Sequence, residues 1–230
     1  MLRLKPDPTE RTTIIFQEAC RSENMEEKVG RGLSVDENDV RRYLLIQTPV
    51  LGRIPSREEI KEKFAGLTEE KLATILNRLD RLDVIHFDED KNNVIAAYPF
   101  SGPETSHVVS LGRKEFRNVY AMCAIDALGL SFMFDCDISI KSLCFHCKKK
   151  IGIDVKDGQI IFLNPRDTVV WCDMEYSNCA ATSLCKNINF FSSEEHYEEW
   201  NKGRSKRKGY LLQIQEAFYL GKLFFENRIK

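Results

Sequence analysis

The sequence has no excess of charge of either sign. Its 230 residues carry a formal net charge of −1 although 30% of them are charged, so no global field draws the chain to nucleic acid or to an anionic membrane. It also lacks a membrane-length apolar run. The longest, Val119 to Phe134, falls short of the roughly 20 residues that a spanning helix needs and contains Asp126. The segment Met1-Leu-Arg-Leu-Lys-Pro-Asp-Pro8 has no apolar stretch of signal-peptide length. These absences predict a cytoplasmic protein without a membrane span. Thiols stay reduced in that compartment, so the eight cysteines are read as metal-binding or catalytic groups and not as a disulfide framework.

Local signals predict an α+β protein of four parts. Residues 1–33 form an extension, with an apolar turn at Ile14, Ile15 and Phe16 and a Gly30-Arg-Gly32 breaker. Residues 34–99 carry the signals of three helices and a hairpin. Ser34-Val-Asp-Glu37 and Ser56-Arg-Glu-Glu59 are capping boxes, the first helix running to about Thr48 and the second ending at Gly66. Thr68 caps a third helix with Leu72, Ile75, Leu76, Leu79 and Leu82 on one face, and strands Val84 to Phe87 and Val94 to Tyr98 follow. That order is winged helix-turn-helix-like. Residues 100–202 read as a mixed or antiparallel β-sheet domain with flanking helices, one of them over Val119 to Leu130, and with a two-residue turn at Asp157-Gly158. Residues 203–230 hold a basic turn, with Lys206, Arg207 and Lys208, and an apolar helix that packs on its own chain or forms a homodimer.

A winged helix invites a DNA-binding reading. In the third helix Glu69, Glu70 and Asp80, with Asp83 just beyond, outweigh Lys71, Arg78 and Arg81, and the wing turn is acidic. Phosphate contact needs the opposite balance, so nucleic acid is not expected as a partner.

The chemistry concentrates in Cys123, Asp126 and Cys185. Thiolates hold soft metals well, and a nearby carboxyl can carry the proton that a breaking carbon–metal bond requires. Spacing by three places Cys123 and Asp126 on one side of a helix. A carboxyl among Ala, Ile and Leu must be paired, or protonated through a raised pKa. A buried cysteine taken alone is usually a small core residue.

Tyr98-Pro-Phe-Ser101 with Thr105 and His107, then Tyr120-Ala-Met-Cys-Ala-Ile-Asp-Ala-Leu128, then Ser183-Leu-Cys-Lys-Asn-Ile-Asn-Phe-Phe191 with Trp200 resemble the alkylmercury (organomercurial) lyases over about residues 34–202. The resemblance implies that 100–202 is a catalytic domain, that Cys123 and Cys185 clamp mercury, and that Asp126 handles the proton. It implies an organomercurial substrate, free thiol as co-reactant, and cytosolic thiols or another mercuric-ion acceptor. The competing reading is a non-catalytic metal-binding or metal-responsive DNA-binding protein, which would need ligands but no proton donor.

Four further cysteines, Cys144, Cys147, Cys172 and Cys179, make a candidate tetrahedral structural zinc site, because Cys144-Phe-His-Cys147 supplies a Cys-x-x-Cys half-site. His146 and Cys136 are read as packing or surface residues.

Overall fold

The computed structural model describes residues 2–22, 28, 30–177, 179–204 and 207–229. Helix α1 (Glu10–Ser22) comes first, and α2 (Val35–Leu51), α3 (Arg57–Lys63) and α4 (Glu69–Arg81) follow it. The boxes at Ser34 and Ser56 are both formed, each hydroxyl accepting the N–H of the glutamate three residues on while that carboxylate accepts the cap N–H. α2 outlasts the expected end at Thr48 and takes in Pro49, stopping at Gly52 in the left-handed region. Pro49 has no N–H to give the Leu45 carbonyl, so the helix runs past it with that one bond missing.

Strands β1 (Ile85–Phe87) and β2 (Val94–Ala97) form the expected hairpin, which continues directly into a larger sheet. β3 (Phe100–Ser101), β4 (Val108–Leu111), β5 (Val119–Ala121), β6 (Ile138–Leu143), β7 (Lys150–Lys156) and β8 (Gln159–Asn164) complete eight strands in the order β1-β2-β3-β5-β4-β6-β7-β8. Every pairing is antiparallel. Asp157 and Gly158 both have positive φ, as a two-residue hairpin turn with the twist of its strands requires. A second sheet sets β9 (Val169–Asp173) between β10 (Asn189–Phe191) and β11 (Gly209–Gln213). Helices α5 (Ala124–Phe134), α6 (Glu194–Asn201) and α7 (Ile214–Phe225) complete the fold.

Two expectations about local structure are corrected. Val119 to Ala121 is a strand and not the start of a helix, because Val119 and Tyr120 pair with β4 while Tyr120 and Ala121 pair with β3. Tyr210-Leu-Leu-Gln213 is also a strand, paired along β9 before α7 begins. An apolar run shows the same composition whether it ends as a buried strand or a buried helix.

α5 and α7 cross at two glycines. A Cβ on Gly221 would lie 3.0 Å from the Gly129 nitrogen, and one on Gly129 would lie 2.0 Å from a Phe225 ring carbon. This contact spends the apolar face of α7 within the chain, where Ile214, Ala217, Phe218, Leu220 and Phe225 are buried. Along this face the helix packs on its own chain. The basic turn beside it is partly neutralised: Arg207 pairs with Asp173 and Lys208 with Glu18 on α1, while Lys206 lies outside the described residues. No helix among the described residues is long and apolar enough to cross a membrane.

Candidate active site

Cys123 is the N-cap of α5. Its backbone is extended, and its Sγ accepts the N–H of Asp126, the third helical residue, at 3.4 Å. The spacing of three therefore acts through the cap, with the thiol turned back over the first turn, and not through two side chains side by side on a helix. β5 delivers the cap by ending at Ala121.

Cys185 arrives from a different part of the chain. A π-turn over Ala180–Leu184 and a 3₁₀ turn over Cys185–Asn187 carry it. The Ala124 N–H donates to the Ile188 carbonyl at 3.1 Å, tying the start of α5 to this segment. Asp83, following α4, fixes the other end by accepting the Ala180 N–H at 2.8 Å and the Tyr176 hydroxyl at 3.0 Å. The result is that Cys185 Sγ lies 3.8 Å from Asp126 Oδ2, and ligand atoms of Cys123, Asp126 and Cys185 all fall within 4.8 Å of one another. All three residues are buried.

Burial pushes the Asp126 carboxyl up to about 7, against hydrogen bonds from Cys123, Cys185 and Tyr98 and the field of Lys28, which favour the carboxylate. Burial also pushes the Cys123 thiol well above its ordinary value, and its neighbours Cys185 and Asp126 add to the rise. The site at neutral pH therefore holds a thiol and a carboxyl balanced between its two forms.

A cavity of about 20 Å³ touches all three residues, together with Tyr98, Cys172 and Ile15. That is room for about one water molecule. A second cavity of about 370 Å³ reaches Cys185 and is bordered by Pro103, His107, Met122, Phe145 and Ala181.

Residues 100–226, more than half of the chain, match the family model described as Alkylmercury lyase. The chain belongs to the alkylmercury lyase family. It is 25% identical over 177 residues to an alkylmercury lyase of Bacillus cereus, and equally to one of Clostridium butyricum, covering 76% of this chain and 78% of each relative. A relative in Staphylococcus epidermidis is 24% identical over 162 residues, which is 70% of this chain and 72% of that protein. The fold resembles the mercury-bound crystal structure of MerB2, with a TM-score of 0.73 and 23% identity over 91% of this chain and 100% of that one.

Of the other residues that carried the resemblance to alkylmercury lyases, Thr105 and His107 line the larger cavity, and Trp200 backs Phe145 behind it. Thr105 donates to the Ala121 carbonyl at 2.7 Å and holds β5 just before Cys123. His107 is buried, and burial lowers its pKa to about 4, so the ring stays neutral beside Ser142. Trp200 lies against Phe145 and Phe191.

Three contributors to the site were not placed there by the sequence of this lyase. Lys28, in the N-terminal extension, is buried with Nζ 2.8 Å from Asp83 Oδ2 and 5.1 and 5.2 Å from the ring centroids of Tyr98 and Tyr176. Asp83 read only as surface acidity, yet it anchors the Cys185 segment. Helix α1 contributes Ile15 and Ala19 to the small cavity. The Ile14-Ile15-Phe16 cluster was the available signal for α1, whereas a lone lysine gave none.

The proposed four-cysteine zinc set does not assemble. Cys144 and Cys147 lie together, but Cys172 faces the small cavity from β9, and Cys179 lies with its sulfur 3.7 Å from His86 Nδ1. β9 directs its cysteine to the other cluster. The group that meets the Cys-x-x-Cys pair is His196, from the first turn of α6. Burial would raise the Cys144 thiol, but hydrogen bonds from Ser192, the Cys147 backbone and His196 bring it down to about 6.

Proposed function

We propose that this protein is an organomercurial lyase that cleaves carbon–mercury bonds by protonolysis, with Cys123, Asp126 and Cys185 performing the reaction. The observation that supports this reading is the convergence of two buried thiols and one buried carboxyl within 4.8 Å. A protein that only sensed or stored metal would have no use for the carboxyl.

Asp126 acts first as base. The Cys185 thiol gives it a proton as sulfur bonds to mercury of R–Hg–X and X⁻ leaves. Cys123 adds its sulfur and releases its proton to solvent. Sulfur donation to mercury loads the carbon with negative charge and makes it a better proton acceptor, and protonated Asp126 delivers its proton to that carbon as the C–Hg bond breaks with both electrons on carbon. The hydrocarbon leaves and mercuric ion stays on two thiolates. Two external thiols, or another mercuric-ion acceptor, then exchange onto the metal and return protons to Cys123 and Cys185. Soft ligation suits both halves of the cycle.

Residues 34–99 serve in this reading as a winged-helix-like scaffold for residues 100–202. Arg78 pairs with Glu37 at 2.8 Å and Lys71 pairs with Asp36, so two basic side chains of α4 are tied to acids of α2. This favours the scaffold over a DNA-reading role.

The test supplies purified protein with phenylmercuric acetate and excess thiol in heavy water. Monodeuterated benzene is expected from the wild type, and none above background from Cys123→Ser or Cys185→Ser. Absence of benzene from the wild type, or undiminished release from both variants, overturns the assignment.

A further inference from the structure

Cys144, Cys147 and His196 lie outside the proposed lyase site and have no part in its reaction. Cys144 and Cys147 flank the tight turn between β6 and β7, where the Lys148 N–H returns to the Cys144 carbonyl at 2.9 Å and the Cys144 N–H to the Lys149 carbonyl at 2.8 Å. His196 extends from α6, whose N-cap Ser193 accepts the His196 N–H. Two separately anchored segments, the turn and the helix, thus direct two sulfurs and one imidazole nitrogen to one point. The His196 Nδ1 lies 3.8 Å from Cys144 Sγ and 3.3 Å from Cys147 Sγ, with all three ligand atoms within 4.8 Å.

We propose that Cys144, Cys147 and His196 bind zinc, with water or an exogenous thiol as the fourth ligand. Tetrahedral zinc with bonds of about 2.3 Å to sulfur and about 2.0–2.1 Å to nitrogen sets those atoms about 3.6 Å apart. The two observed separations straddle that value. Two thiolates and an imidazole also form a donor set suited to zinc. The Ser192 N–H donates to Cys144 Sγ at 3.3 Å, the kind of outer contact that orients a metal-bound sulfur. The Ser192 hydroxyl, bonded to His196 Nδ1 and 3.9 Å from Cys147 Sγ, gives way when the ion takes that nitrogen.

The ion fastens the β6–β7 turn to α6. Phe145, inside that turn, borders the 370 Å³ cavity that reaches Cys185, and it contacts Phe191 and Trp200. Zinc here therefore fixes one wall of the approach to Cys185 without touching the reacting atoms. It does not depend on the carbon–mercury assignment.

Metal-free full-length protein is titrated with cobalt(II), then with zinc. One cobalt per chain is expected, with the sulfur-to-cobalt charge-transfer band and intense d–d bands of a tetrahedral thiolate site, displaced by one equivalent of zinc. The Cys123→Ser/Cys185→Ser double variant is expected to give the same spectrum. Cys147→Ser and His196→Asn alter side chains that are not buried, and each is expected to weaken binding by at least about a hundredfold, more than loss of an outer-shell partner costs. Circular dichroism confirms that both variants fold. The proposal is overturned if the wild type shows no thiolate–cobalt band. It is equally overturned if the band survives Cys147→Ser and vanishes in the double variant, which would put the ion on Cys123 and Cys185.

Discussion

The Cys185 thiol lies 3.8 Å from Asp126 Oδ2, and both groups are buried. In the proposed reaction, the acid that gives a proton to carbon is thus in contact with a thiol that can supply one. In water a carboxyl would be ionised and a poor donor at neutral pH. Burial corrects this by raising Asp126 to about 7, near where a group serves equally well as base and acid.

The rate should follow that balance. Asp126 must begin as the carboxylate to take the Cys185 proton, so kcat/KM for phenylmercuric acetate is expected to rise as pH increases through about 7 and then level off. A profile that falls through this range would mean that the carboxyl enters the cycle already protonated.

Stability should respond with the opposite sign. The folded-state pKa of Asp126, about 7, lies above the ordinary 3.8, so its favourable contribution is complete below the ordinary value and is lost as pH rises through about 7. Relative to Asp126→Asn, wild type should lose roughly 2 to 3 kcal/mol of unfolding free energy between about pH 5 and about pH 8. Urea unfolding of both proteins checks this, and parallel pH dependences would show that the carboxyl is not desolvated.

Asp83 and Lys28 form a buried pair that holds the Cys185 segment in place. Removing one partner leaves the other charge buried alone, so Asp83→Asn should cost about 3–5 kcal/mol. Lys28→Met combined with Asp83→Asn should recover part of that loss. Denaturant midpoints of the four proteins in the cycle measure the coupling, and strict additivity would contradict it.

The crossing of α5 and α7 leaves no space at Gly129. Gly129→Ala must displace the Phe225 ring, for which about 1–3 kcal/mol is expected, appearing as a lower Tm. An unchanged Tm would show that the helices are free to separate.

The sequence revealed the parts that depend on neighbours along the chain. Ser34, Ser56 and Thr68 announce their helices because the capping bonds are local, and Asp157-Gly158 announces its hairpin for the same reason. The triad Cys123, Asp126 and Cys185 was legible because an unexplained carboxyl in an apolar run is costly, and because its flanks resemble the alkylmercury lyases. Long-range choices were hidden. Val119 and Tyr210 fit a helix or a strand equally well until β4 and β9 supply partners. His196 is far from Cys147 in sequence, so the Cys-x-x-Cys pair was grouped with Cys172 and Cys179, which the fold places elsewhere. Lys28 gained its place only when Asp83, Tyr98 and Tyr176 closed around it.

The measurement that bears most directly on the account is a single turnover of Asp126→Asn with one equivalent of phenylmercuric acetate. This variant keeps both thiols and loses the proton carrier. Phenylmercury is expected to remain bound through sulfur, while benzene release slows by about a hundredfold to ten-thousandfold. Benzene release at the wild-type rate would contradict the assignment of Asp126 as the proton donor.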